Sequence, residues 1–162
     1  MKREILFKAK RIDNGEWVEG YYLNIAKINH FICTGKIKLD GALKGIIAPE
    51  MYEIDPDTLC QYTGITDKSG QKIWENDVLR GHGNEKDLSK AVFGEVYVID
   101  VETIEIVDSV VGWHTEVIEM DEISKCEPFN LPMPLTEFYI NRSEYEVIGN
   151  IFDDPELVGG AE

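Results

Sequence analysis

Between Ala91 and Val107 the chain reads AVFGEVYVIDVETIEIV, with apolar residues alternating, or nearly so, with acids. A period of two puts successive side chains on opposite faces, which marks half-buried antiparallel strands. Short β-like runs recur at KINHFIC, KIKL, KGIIA, TLCQYTG, GWHTEVIEM and SEYEVIGNIF. No segment keeps a helical period beyond about two turns, and no internal repeat is present. Short strands between frequent turn signals predict a mainly β fold, a small antiparallel barrel or sandwich with N-terminal β-hairpins and little helix. The 162 residues suit one compact domain or two small ones. The expected division is a β-hairpin region over 1–54, a barrel region over 55–158 and a tail over 159–162.

The clearest local signal is Asn14-Gly15 inside ILFKAKRIDNGEWVEGYYL. Both residues tolerate positive φ, so a two-residue type I′ turn is expected there. That turn would set Ile12 opposite Trp17, Lys10 opposite Glu19, and Leu6 opposite Leu23. The polar stretch GHGNEKDLSK at 81–90 reads as an exposed, mobile loop, and CEPFNLPMPLT at 126–136 as a surface loop, since proline leaves no regular helix or central strand. In DDPELV, Asp153 or Asp154 can cap a short helical turn that opens on Pro155.

Charge narrows the partners. The chain holds 16 Lys and Arg against 31 Asp and Glu, a net −15. Phosphate backbones and anionic bilayers are bound through Lys and Arg, so this balance disfavours direct nucleic-acid binding and a membrane surface. The charge is also uneven. Lys2, Arg3, Lys8, Lys10 and Arg11 crowd the start, whereas 91–122 contains Glu95, Asp100, Glu102, Glu105, Asp108, Glu116, Glu119, Asp121 and Glu122 and no Lys or Arg. Those acids are expected on one solvated sheet face. They suit solubility, and they also suit a basic protein partner.

Residues 55–80, DPDTLCQYTGITDKSGQKIWENDVLR, concentrate turn chemistry. Asp67-Lys68-Ser69-Gly70 reads as a type I turn closed by Gly70 in the left-handed region. Gly64 suits a bulge, and Tyr62 and Trp74 can meet across the resulting hairpin. Asn76 tolerates positive φ, and a tight turn there would carry the Asp77 carboxylate beneath the loop to accept backbone N–H groups. The competing reading makes Asp55, Asp57, Glu75 and Asp77 a carboxylate site for a metal or for acid–base catalysis.

Other constellations are weaker. Cys33, Cys60 and Cys126 are widely spaced and odd in number, which argues for reduced thiols rather than a disulfide framework or a zinc ribbon. Cys60, inside a strand-like run, suits a core thiol. His30, His82 and His114 lie in separate segments without metal-ligand spacing, and no phosphate loop or nucleophile elbow occurs. His82 is expected to be exposed. One of Trp113 and His114 is expected to be buried and the other solvated. No catalytic residue, metal ligand or cofactor is assigned. MKREILFKAK lacks an apolar run, so a soluble, cytoplasmic protein is expected.

Two blocks carry a family likeness. Thr58, Gln61, Tyr62, Thr63, Gly64, Asp67, Gly70, Ile73, Trp74, Glu75, Asp77 and Val78 form the first. Gly149, Asn150, Ile151, Phe152, Pro155, Glu156 and Leu157 form the second. Together with the opening FKAKRIDNGEWVEGYYL, they resemble the YopX family of phage and prophage proteins. Asn76 stands where the family pattern has Gly, and Asp154 where it has Asn. The resemblance implies a mainly β fold with an SH3-like barrel, encoded in phage or prophage genomes and acting in the bacterial host. It brings no established activity. The recurring residues Gln61, Tyr62, Gly64, Gly70, Trp74, Asp77, Gly149, Asn150 and Pro155 read as turn and packing positions.

The functional expectation is a non-enzymatic β module that binds a protein partner or assembles with itself. Glu102, Glu105 and Asp108 are its candidate binding face. The alternatives are an acidic decoy of a nucleic-acid-handling protein and a small metal-dependent enzyme using Glu75 and Asp77.

Overall fold

A computed structural model describes residues 4–35, 50–100, 102–103, 105–119 and 132–159. The runs KIKL and KGIIA, the thiol of Cys126, and Lys2, Arg3, Asp121 and Glu122 lie outside the described residues. The chain divides into two compact units, Met1–Tyr62 and Thr63–Glu162.

The first unit contains β1 (Phe7–Lys10), β2 (Trp17–Ile25), β3 (Asn29–Thr34), β4 (Glu50–Glu53) and the start of β5 (Cys60–Thr66). These pair antiparallel in the order β4-β3-β2-β1-β5. Ala9, Ile32 and Ile54 are buried at its centre, with Phe7, Val18, Tyr22 and Leu59 packed against them. Cys60 is buried, as expected of a core thiol, and its Sγ donates to the Thr58 carbonyl at 3.4 Å.

The first hairpin departs from the expected turn. Lys10 pairs with Trp17 and Lys8 with Glu19, a register two residues away from a turn centred on Asn14-Gly15. The loop instead spans residues 12–15, with the Gly15 N–H on the Arg11 carbonyl at 2.9 Å and only Gly15 at positive φ, +73°. Asn14 satisfies the loop with its side chain. Its Oδ1 accepts the Glu16 N–H at 3.0 Å, and its amide donates to Glu16 Oε2 at 2.8 Å. An even shift leaves the same side chains on the buried face, so packing does not oppose it. Positive φ at consecutive non-glycine residues occurs at Ala26 and Lys27, between β2 and β3, where composition gives no turn signal.

The second unit takes up β5 at Thr63 and lays β6 (Lys72–Trp74) beside it. Its main sheet, in the order β10-β7-β8-β9, holds β7 (Asp77–Arg80), β8 (Leu88–Ile99), β9 (Ile106–Glu119) and β10 (Glu146–Asn150). Its core is Ile73, Leu79, Ala91, Leu135, Ile140 and Tyr145. The mainly β, antiparallel reading therefore holds. A barrel requires its first and last strands to pair. Among the described residues neither strand order closes, so these sheets do not form a closed barrel.

Three local expectations change here. The stretch 91–107 and the run GWHTEVIEM divide differently from that reading: β8 and β9 form one long hairpin whose turn includes Glu102 and Thr103. The stretch at 81–90 is not a free loop, because Leu88–Lys90 already pair with β7 and Asp87 is buried. Finally, EFYINR forms the helix α1 (Glu137–Arg142), whose start is fixed by Thr136 Oγ1 accepting the Tyr139 N–H at 3.3 Å. Ile140 anchors this helix in the core.

Candidate interaction surface

The motif residues of the second unit form a hydrogen-bonded tie. Gly70 takes φ +88° and closes the turn after Asp67, as its position predicts. The Asp67 carboxylate is buried beneath that turn. Its Oδ1 accepts from the Ser69 N–H (2.8 Å), the Ser69 hydroxyl (2.7 Å) and the Gln71 N–H (2.9 Å). Its Oδ2 accepts the Val147 N–H of β10 at 3.0 Å. Burial alone would raise this carboxyl's pKa, but the hydrogen bonds from Ser69, Val147 and Gln71 outweigh it and hold the group below its ordinary range.

Asn76 takes φ +64°, and Asp77 turns beneath the loop as expected. Asp77 Oδ2 accepts the Trp74 N–H at 2.8 Å, and Oδ1 accepts the side-chain amide of Asn150 at the same distance. Both carboxylate oxygens thus meet protein donors at a residue 1% exposed, which makes Asp77 a structural acceptor. Asn150 Oδ1 accepts the Phe152 N–H at 3.1 Å. A Cβ on Gly149 would overlap the Asp154 carboxylate. That carboxylate accepts the Asn150 N–H at 3.3 Å, so Asp154 sits at the N-cap of the 3-10 turn Pro155–Val158 without capping it through its side chain. Pro155 opens that turn as its fixed φ suggests.

The remaining motif residues have backbone roles. Gly64 takes φ +86° within β5. In the first unit, Gln61 lies opposite Phe7, and buried Tyr62 donates its N–H to the Leu6 carbonyl at 2.9 Å. Trp74 is buried in the second unit.

Glu102, Glu105 and Asp108 come together at the far end of the β8–β9 hairpin, and all three are exposed. Glu102 lies in the turn, Glu105 just after it, and Asp108 pairs with Val98 on β9. The Asp100 carboxylate organises the turn. Backbone hydrogen bonds from Thr103 (3.1 Å) and Glu102 (2.8 Å) hold its carboxyl below the ordinary range.

These acids do not share one sheet face. Glu95 lies on a face with Phe93 and Tyr97, while Asp108 lies on the other with Val98 and Val110. Apolar side chains face solvent on the same hairpin: Phe93, Tyr97, Val98, Ile106, Val107, Val110 and Val111 are all exposed. Periodicity marked these residues as apolar but could not reveal that the hairpin continues beyond its lateral neighbours. Among the described residues β8 meets β7 through Leu88–Lys90, and on β9 the neighbouring bridge is His114 to Pro134.

The three histidines remain in separate settings. Tyr22 Oη lies 2.6 Å from His30 Nδ1, His114 is buried beside half-buried Trp113, and exposed His82 places Nδ1 2.7 Å from Asp87 Oδ2. His82 takes φ +50°, and a Cβ on Gly81 would lie 2.7 Å from the same Asp87 oxygen. The pair holds the 81–87 turn closed, together with the Gly81 N–H on the Asp87 carbonyl at 2.8 Å. Among the described residues no group of three His, Cys, Asp or Glu side chains is arranged to hold a metal.

Residues 6–159 match the family described as YopX protein, nearly the whole chain. The chain belongs to the YopX family. Both motif blocks lie within the YopX match, so the Asp77–Asn150 tie joins two parts of one family pattern. Among solved structures, this YopX chain is similar to the crystal structure of protein EF1440 from Enterococcus faecalis, at 20% identity and a TM-score of 0.46, covering 97% of this chain and 99% of that one. No curated protein is significantly similar to it. Among the described residues of this YopX protein, no helix is long and apolar enough to cross a membrane.

Proposed function

We propose that this YopX protein is a non-enzymatic accessory protein of phage or prophage origin. It works in the host cytoplasm by binding a basic protein through the distal β8–β9 hairpin. One observation carries the reading. Among the described residues the hairpin extends beyond its lateral strand neighbours, exposes apolar side chains, and gathers Glu102, Glu105 and Asp108 at its end in a stretch without Lys or Arg. Apolar surface supplies affinity, and the carboxylates select a cationic partner and speed its encounter. A nucleic-acid-handling protein has the required charge, which is the decoy form of the same reading.

The test is a charge reversal. Tagged wild type and the triple variant Glu102→Lys, Glu105→Lys, Asp108→Lys are exposed to host lysate at about 150 mM and about 500 mM salt, an interval that shortens the Debye length. A basic protein held by wild type at low salt and lost by the variant supports the reading. Equal retention by a variant of unchanged circular dichroism overturns it.

A further inference from the structure

The two faces of the β8–β9 hairpin are not equivalent. One carries Phe93, Glu95 and Tyr97 opposite Trp113, Val111 and Ser109. Phe93 is 55% exposed, Tyr97 54% and Val111 71%. The opposite face is mixed: Val96 and His114 are buried, while Val98 and Val110 are 41% and 44% exposed. The aromatic face is the more open of the two. On it Phe93 lies edge-on to Trp113, at 5.1 Å between ring centroids.

The hairpin's outer edge is less open than its face. Trp113 and Thr115 of β9 direct backbone groups outward to Leu135 and Met133. By alternation Ser109 and Val111 direct theirs to the same side. There Asp108 Oδ1 already accepts the Ser109 N–H at 2.8 Å, and the register slips by one residue between Val98 and Ile99, leaving Val107 as a bulge. Bulges and charges of this kind blunt an edge against strand addition.

A second copy of the chain is a poor occupant. The hairpin's like charges repel, and the basic strand β1 is already paired on both sides, by β2 and β5. From Phe93 to Ile99 the face is about 20 Å long at ~3.3 Å per residue, the length of about thirteen helical residues at ~1.5 Å each.

We infer that the Phe93–Tyr97–Val111 face docks a cationic amphipathic helix of a partner protein, about three to four turns long. The helix lays its apolar stripe on the aromatic side chains and directs Lys or Arg toward Glu95 and the carboxylates at the hairpin's end. This rests on the hairpin being the working surface. It adds the conformation of the bound segment and the face that takes it.

The test uses the full chain and three labelled 14-residue peptides, read by fluorescence anisotropy. One is a Lys/Leu peptide of helical period, one a Lys/Leu peptide of strict alternation, and one a Glu/Leu peptide of helical period. The helical cationic peptide is expected to bind. It should bind at least tenfold more weakly to Phe93→Ser/Tyr97→Ser and to the milder Val111→Thr, and unchanged to Val98→Ser/Val110→Ser. Equal binding of the alternating peptide, or equal loss from both faces, overturns the docking mode. Binding that depends on Glu102, Glu105 and Asp108 but ignores Phe93 and Tyr97 also overturns it, and leaves the acidic surface standing. If neither cationic peptide binds, both readings fail.

Discussion

The side-chain amide of Asn150 donates to Asp77 Oδ1 at 2.8 Å, closing a contact between residues 73 positions apart. Both residues are nearly inaccessible to water. The same amide also lies 3.5 Å from the Glu75 carbonyl, and removing either partner takes from the other its shorter hydrogen bond. Asn150→Ala is expected to cost about 1.5–3 kcal/mol, the range for a hydrogen bond to a charged group. Urea denaturation of Asn150→Ala, Asp77→Ala and the double variant measures the coupling, expected within about 0.5–3 kcal/mol. Additive losses would show that the pair does not act as one unit.

Asp67 links stability to acid. Its folded pKa lies below the ordinary value, because hydrogen bonds from Ser69, Val147 and Gln71 outweigh the effect of burial. Its contribution is therefore fully present above the unfolded carboxyl pKa of about 3.9 and is lost as pH falls through the lower folded value. Asp67→Asn should lower stability at pH 7 and flatten the loss on acidification. Chemical denaturation in steps from about pH 2 to 7 reads both effects. A variant with the wild-type acid slope would remove Asp67 from the account.

Backbone geometry separates two otherwise similar positions. Asn76 has φ +64°, so Asn76→Gly is tolerated and Asn76→Val costs about 1–2 kcal/mol in the left-handed region. Gly149 is not at positive φ, yet a Cβ there would strike the Asp154 carboxylate. Gly149→Ala is therefore expected to cost about 1–3 kcal/mol by overpacking. Paired thermal melts check the contrast, and an unchanged Gly149→Ala would mean that Asp154 moves aside freely.

The local chemistry of 67–78 was legible in the sequence because each device there is short-range: Gly70 and Asn76 at positive φ, and Asp77 accepting from Trp74. The first hairpin differs from its turn signal because an Asn side chain can organise a longer loop as well as fill a two-residue turn. Helix α1 leaves little trace in the sequence because six residues give too little periodicity, although Thr136 before Glu137 is a usable start signal. The Asn150–Asp77 contact is non-local, and a family pattern places both residues without saying that they touch. The exposed aromatic face was illegible for a related reason. Period-two patterning says which side chains share a face and nothing about what covers it.

The ties from Asp67 and Asp77 to β10 also set a timetable. At synthesis rates of about 5–20 residues per second, Asn150 is added roughly 4–15 s after Asp77. For that interval β7 has no β10 beside it, and both carboxylates depend on water for the donors that β10 and Asn150 later supply. A ribosome stalled before Glu146 would hold out a chain whose second unit is unfinished at the edge of β7, a ready target for proteases and chaperones.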